Sequence, residues 1–173
     1  IIKKDVTIFP NVFMGEGVKI DSGSSILSFC HLDNCYIIKN VSIGPFARIR
    51  GSSILNENNK IGNFVELKNV ISEKDVKINH LSYIGDTSIG RSSNIGAGSI
   101  TCNYDGHKKN KTFIGSNAFV GSNSTMIAPL KIGNNSTIGA GSVITEDVNN
   151  GDLAIGRERQ VNKKDKSITK KKN

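Results

Sequence analysis

The chain has 173 residues, a length suited to one domain with a tail, and a formal net charge of +8. Tryptophan is absent and aromatic residues make up only 6%, so the core must be filled by Ile, Val, Leu and Ala, while glycine, at 18 residues, is frequent. No run of about 18 apolar residues is present, which argues against a transmembrane helix, and Ile1-Ile2-Lys3-Lys4-Asp5 lacks the apolar region of a secretory signal.

The first residue is Ile rather than Met, which suggests a chain cut from a longer one. From there an apolar residue recurs at every sixth position. It opens at Val6, Val12 and Val18, continues through Ile43, Ile49, Leu55, Ile61 and Leu67, and returns at Ile114, Val120, Met126, Ile132, Ile138 and Ile144. Glycine often follows the aliphatic, as at Gly44, Gly62, Gly85, Gly96, Gly121 and Gly139. A period of six fits neither a helix nor a simple alternating strand. It predicts short strands joined by tight turns, an all-β solenoid of hexapeptide repeats over residues 1–160. Three hexapeptides then form a coil of 18 residues, and residues 18 apart stack on neighbouring coils, about 4.8 Å apart.

Cys30 and Cys35 lie between the first two runs, with Cys102 further on; an odd count without a secretory signal predicts reduced, buried thiols and a cytoplasmic protein. His31 beside them does not complete a zinc pattern. Arg50 and Lys68 are one predicted coil apart, so two cations stack, and a phosphate between them would relieve their repulsion. His80 is a candidate general base, with Glu66 to orient it. The register shortens to five between Ile84 and Ile89 and is lost over 101–112, which predicts an extruded loop. Ser122 and Ala140 are again one coil apart, two small residues that outline a groove for a thin ligand chain. His31, His80 and His107 fall in unrelated registers, so no three-imidazole metal site is expected. The last twelve residues hold six lysines against Asp165, which leaves +3 for the rest of the chain. Residues 161–173 therefore read as a solvated, disordered basic tail, and without a recognition motif or interleaved aromatics no nucleic-acid partner is expected.

Four segments are more specific than the repeat: Gly44-Pro45-Phe46-Ala47-Arg48-Ile49-Arg50, Ile61-Gly62-Asn63-Phe64-Val65-Glu66-Leu67-Lys68, His80-Leu81-Ser82-Tyr83-Ile84-Gly85-Asp86, and Asn94 through Gly106 with its Asn103-Tyr104-Asp105-Gly106 loop. In this order they resemble the C-terminal acetyltransferase domain of the bacterial bifunctional glucosamine-1-phosphate N-acetyltransferase and N-acetylglucosamine-1-phosphate uridyltransferase, from about residue 41 to 160. The resemblance implies a left-handed parallel β-helix and a homotrimer with active sites between subunits. It implies acetyl transfer from acetyl-CoA to glucosamine-1-phosphate, on the way to UDP-N-acetylglucosamine and cell-wall precursors. By residue match, His80 is the base, Arg50 and Lys68 hold the sugar phosphate, and Tyr83 and Asn94 fix the sugar. Lys109 matches a lysine that reaches the phosphate from a neighbouring subunit. Ala97, Asn103, Tyr104, Ser122, Ala140 and Arg157 match positions that contact acetyl-CoA. A backbone amide of the Gly96-Ala97-Gly98 turn is the expected oxyanion donor, transfer is expected to be direct, and Cys102 is not expected to be acylated.

Three places depart from the family pattern: Gly51 stands where Pro is usual, Asn69 where a second Lys often follows, and His107-Lys108 where a residue-Asn pair is more usual before Lys109. Nothing here matches the Gly-rich opening of the uridyltransferase domain, so neither uridyl transfer nor its Mg²⁺ site is expected of this chain. Two other classes use the same repeat: an acyltransferase for a different acceptor, and a β-helix that only assembles or binds. The first would lack the Arg50, Lys68 and Tyr83 set, and the second would bind no acetyl-CoA.

Overall fold

The computed structural model describes residues 1–164. Among these residues there is no helix; the chain winds as a left-handed parallel β-solenoid whose three faces are sheets of nine, eight and seven short strands. Through Val143–Ile144, successive strands go to the nine-, the eight- and the seven-stranded sheet in turn, and every third strand returns to pair in parallel with its predecessor one coil below; the last strand, Leu153–Ala154, skips the seven-stranded sheet and pairs with Thr137–Ile138.

The six-residue period is the inward column of this prism. Ile26, Leu32, Ile37, Ile43, Ile49, Leu55, Ile61, Leu67, Ile78 and Ile84 are all buried, and on each face they sit rung over rung, as in Ile43, Ile61 and Ile78. Full burial of one such side chain contributes roughly 1.5–3 kcal/mol. A second inward position, two residues earlier, is held by small side chains that fit the corners: Cys30, Cys35, Val41, Ala47, Ser53, Val65, Val70, Ser93 and Ser124. The serines return their hydroxyls to the corner backbone; Ser53 donates to the Arg50 carbonyl at 2.7 Å and accepts from the Val70 amide. Cys30 and Cys35 are thus core packing, and burial pushes the Cys35 thiol up to about 12. Cys102 is a half-buried free thiol.

Coil length departs from the uniform eighteen expected from the sequence. The register steps by 18 from Ile43 to Ile61 but by 17 from Ile61 to Ile78 and again from Ile78 to Ile95. The missing residue comes from one corner, between the eight- and seven-stranded sheets. There the inward column advances only five residues from Leu32 to Ile37, from Leu67 to Ser72 and from Ile84 to Ile89. Asn34, Asn69 and Asp86 make these short turns in the left-handed region, at φ of 42, 52 and 50°. Asn and Asp tolerate this region because their side chains bond locally; here Asn34 reaches Ser52, and Asn69 reaches Asp86 on the next rung.

The loop leaves from that same corner. Strands Ile100–Cys102 and Thr112–Ile114 bound it, so the ends of the predicted 101–112 segment are strand and residues 103–111 protrude. The protrusion is a hairpin, closed by an antiparallel bridge between Tyr104 and Lys109 and by the Asn110 amide on the Asn103 carbonyl at 2.7 Å. Of the basic tail expected over 161–173, residues 165–173 lie outside the described residues.

Candidate active site

Two structural lines meet on adjoining parts of the prism. The first is on the outer side of the eight-stranded sheet, where strands Arg48–Arg50, Glu66–Lys68 and Tyr83–Gly85 lie rung over rung. Arg50 pairs in register with Lys68, and Lys68 with Gly85; two positions earlier run Arg48, Glu66 and Tyr83. Side chains alternate across a strand, so these residues face out while Ile49, Leu67 and Ile84 face in. Gly85 keeps this face open: a Cβ there would lie 2.6 Å from the Tyr83 hydroxyl and 2.7 Å from the Asn103 amide nitrogen.

The hairpin adds a third cation. Lys109 lies against Lys68, and this neighbouring ammonium holds the Lys68 ammonium below the ordinary lysine value; partial burial and Arg50 act the same way, and Asp86 opposes them. Within a single chain, then, Lys109 already reaches Lys68 of the Arg50–Lys68 pair. The Lys109 ammonium also stands 5.9 Å from the centre of the Tyr104 ring. Asp105 sets the shape of the hairpin: its carboxylate accepts from the amides of His107 and Lys108 and from the Asn110 side chain. Led by the two backbone amides, these donors bring its carboxyl down to about 2.

Asp86 ties the pieces together. Its carboxylate accepts from Asn69 at 2.7 Å and from Asn103, at the root of the hairpin. Burial alone would raise this carboxyl, but the two amide donors and the neighbouring Lys68 and Lys109 outweigh it, and the group lies below its ordinary value.

The second line is a corner column between the nine- and eight-stranded sheets. Strand Lys60–Asn63 pairs with strand Lys77–His80 so that Asn63 stands opposite His80. The register of the following strands carries the column upward through Ala97, Ser122 and Ala140. Above them the Arg157 guanidinium donates to the Ala140 carbonyl at 2.8 Å. Ala97 is half-buried, and Ser122 and Ala140 are exposed, which leaves a shallow small-residue channel that starts at the exposed imidazole. Glycines let the rungs close: a Cβ on Gly96 would come 2.5 Å from the Ser122 amide, and one on Gly121 2.5 Å from the Ala140 amide.

Glu66 does not serve the role expected of it. Its carboxylate is taken by Arg50, Nε to Oε1 at 2.7 Å, with Arg48 at 3.7 Å. It stands on the flat face of the eight-stranded sheet, whereas the imidazole is at the corner, where Nδ1 lies 2.7 Å from Asn63 Oδ1. Asn94 also stands apart, on the outer side of the nine-stranded sheet between Lys77 and Phe119, not on the face that bears Arg50, Lys68 and Tyr83. Sequence reasoning missed Asn63, Asp86 and the clamp at Asp105. A 17-residue step would have found Asn63; an 18-residue step puts Gly62 opposite His80 instead.

The profile of the family described as "Bacterial transferase hexapeptide (six repeats)" matches residues 111–146. The bifunctional protein GlmU of Wolbachia pipientis wMel is 56% identical over 163 residues, 94% of this chain. GlmU of Zymomonas mobilis is 52% identical over 162 residues. The chain spans only 38% and 36% of the length of these two relatives. Among solved structures, UDP-N-acetylglucosamine acyltransferase from Campylobacter jejuni aligns with a TM-score of 0.55 at 18% identity, over 87% of this chain and 71% of that one, and shares the fold. The repeat column, the hairpin and sustained identity to one part of a longer protein agree: the chain belongs to the hexapeptide-repeat family represented by the C-terminal portion of the bifunctional GlmU proteins.

Proposed function

We propose that the chain transfers the acetyl group of acetyl-CoA to the amine of glucosamine-1-phosphate, giving N-acetylglucosamine-1-phosphate and CoA, a step toward UDP-N-acetylglucosamine. The observation that carries this reading is the convergence of three cations, Arg50, Lys68 and Lys109, on a face that adjoins the His80 corner. Glu66 on Arg50 and Asp86 beside the two lysines offset only part of this charge, and a sugar phosphate meets the rest with charge-assisted hydrogen bonds. Tyr83, laid over Gly85 beside this cluster, is placed to meet the sugar ring.

The corner channel supplies the other substrate's path. Ala97, Ser122 and Ala140 climb three rungs from His80, about 14 Å along the axis. Small side chains there suit the narrow pantetheine arm, with the thioester at the imidazole, Arg157 at the far end, and Asn103 and Tyr104 at the hairpin edge.

In the reaction, His80 Nε2 takes a proton from the amine as its nitrogen attacks the thioester carbon. The C–N bond forms and the carbonyl electron pair moves onto oxygen. Of the three amides in the turn, Gly96 already donates to the Val120 carbonyl and Gly98 to that of His80, so Ala97 is the one left for the oxyanion. Collapse breaks the C–S bond, and the CoA thiolate takes up the proton held by the imidazolium. No cysteine is acylated, and no metal takes part in this domain's chemistry.

The trimer belongs to the same proposal. A site that uses Asn94 on one sheet and Arg50, Lys68 and Tyr83 on another is completed by a neighbouring copy that brings the two faces together. Among the described residues no helix is long and apolar enough to cross a membrane. We place the reaction in the cytoplasm, in keeping with the free thiols of Cys30, Cys35 and Cys102.

The test is to mix the chain with acetyl-CoA and glucosamine-1-phosphate and detect N-acetylglucosamine-1-phosphate by mass. Acetylation of a different acceptor in preference to this one, or binding of acetyl-CoA without turnover of any amine, rejects the assignment.

A further inference from the structure

We infer that Asn63 is a positioning residue that holds the His80 imidazole in the tautomer with its proton on Nδ1, leaving the Nε2 lone pair directed at the substrate amine; the inference rests on the acetyl-transfer reading above. Asn63 and His80 are register partners at the ends of strands Lys60–Asn63 and Lys77–His80. The amide oxygen Oδ1 lies 2.7 Å from Nδ1. An amide oxygen only accepts, so the ring nitrogen facing it carries the proton, and in a neutral imidazole the other nitrogen is then free to act as a base. Had the amide nitrogen faced the ring, the proton would sit on Nε2 and the ring could not accept another there.

The surroundings leave the imidazole little other support. The His80 carbonyl is held by the Gly98 amide at 3.2 Å and by the Ser82 hydroxyl at 2.9 Å, while the Leu81 amide donates to the Asn63 carbonyl at 3.0 Å. The backbone of both residues is fixed, and ring orientation is set by the side-chain contact. Gly62 brings the rungs close enough for it: a Cβ there would overlap the Asn79 carbonyl oxygen at 1.8 Å. The carboxylate expected in this part, Glu66, is committed to Arg50. Lys60 is the charged side chain that lines the same groove as His80, Asn63 and Phe64, a cavity of about 640 Å³. The base is therefore oriented by a neutral amide and, among the described residues, has no anion hydrogen-bonded to its ring.

The protein with ¹⁵N-labelled histidine shows the tautomer directly, with His80 assigned by comparison with His80→Gln. Above the titration of the ring, its Nε2 resonance is expected at the unprotonated position in the wild type and shifted toward the free-imidazole average in Asn63→Leu. In turnover, Asn63→Leu lowers kcat by about 10-fold and leaves the KM for glucosamine-1-phosphate within about twofold. Asn63→Asp, whose carboxylate can take the place of the Asn63 Oδ1 acceptor, restores kcat and moves the acidic limb of the kcat/KM profile up by about one pH unit, because it adds an anion. A wild-type ring protonated on Nε2 overturns the inference. So does an Asp variant as slow as the Leu variant, or a Leu variant changed only in KM. Absence of acetyl transfer by the wild type would refute the acetyl-transfer reading instead, and the tautomer measurement would still judge Asn63.

Discussion

Lys109→Met tests the cation cluster through two effects of opposite sign. In the free protein the Lys109 ammonium crowds that of Lys68, whose proton affinity lies below the ordinary lysine value of 10.5. At neutral pH the folded state bears this repulsion, which the unfolded chain escapes. As pH rises through the depressed folded value toward 10.5, Lys68 loses its proton first in the folded protein, and above 10.5 the cost is gone. Removal of Lys109 should therefore stabilise the free protein at pH 7 and low salt. The pair is solvent-facing, so Coulomb repulsion is small and screened, which puts the gain at about 1–2 °C in melting temperature for a chain of this size. That gain should fade with added salt and vanish by a pH of about 10.5. Substrate binding goes the other way. A lysine–phosphate hydrogen bond is charge-assisted, and its loss should raise the KM for glucosamine-1-phosphate by about 10–100-fold. Differential scanning calorimetry with and without inorganic phosphate, beside steady-state kinetics, measures both. A variant that melts lower without ligand at pH 7, or that keeps the wild-type KM, refutes the idea that Lys109 and Lys68 share one anion.

Three further outcomes are expected. His80→Ala should lower kcat by about 10²–10⁴-fold with saturating substrates, whereas Cys102→Ala should keep near-normal turnover; a large loss in the cysteine variant would mark an acyl-enzyme in the manual-mixing and burst kinetics. Ile61→Ala removes a side chain 1% exposed between Ile43 and Ile78 and should cost about 2–5 kcal/mol in urea unfolding, while Ile71→Ala, at a position 50% exposed on the outer face, should cost less than about 1 kcal/mol. Gly121→Ala places a methyl 2.5 Å from the Ala140 amide and should spread the rungs of the corner channel, raising the KM for acetyl-CoA far more than that for the sugar phosphate.

The repeat was legible because each inward aliphatic answers to the same cavity. Ile43, Ile49, Leu55, Ile61 and Leu67 meet one constraint five times, and periodicity exposes it. The run then hides itself where polar residues take the inward place. Ser72 is buried there because its hydroxyl accepts from Asn59, and Thr101 because it accepts from the Gly85 amide at 2.7 Å. Neither partner can be guessed from spacing. The Arg50–Lys68 stack was legible for a related reason: it happens to span a coil of full length. At His80 the coil is one residue shorter, and the same arithmetic points at Gly62 rather than Asn63. Glu66 illustrates a second limit. Sequence offers a carboxylate near the histidine, but only the register reveals that Arg50 and Arg48 flank it on the rung below.

Shortened coils also explain why the site is where it is. Omitting one residue at the corner between the eight- and seven-stranded sheets draws Asn69 and Asp86 into contact across successive rungs. Asp86 can then accept Asn103, the first residue of the hairpin, and the hairpin leaves the prism aimed back along its own face. A full-length turn at residue 86 would add one residue between Gly85 and Ile89 and move the Asp86 carboxylate off the Asn103 amide, and Lys109 would lose its anchor above Lys68. Cations that repel each other need such an anchor to stay together before an anion arrives, and a half-buried carboxylate shared by two amides and faced by two lysines provides it. The irregularity in the repeat is thus the feature that assembles the anion site, while the regular rungs on the opposite corner, with their small residues and close glycines, carry the channel to His80.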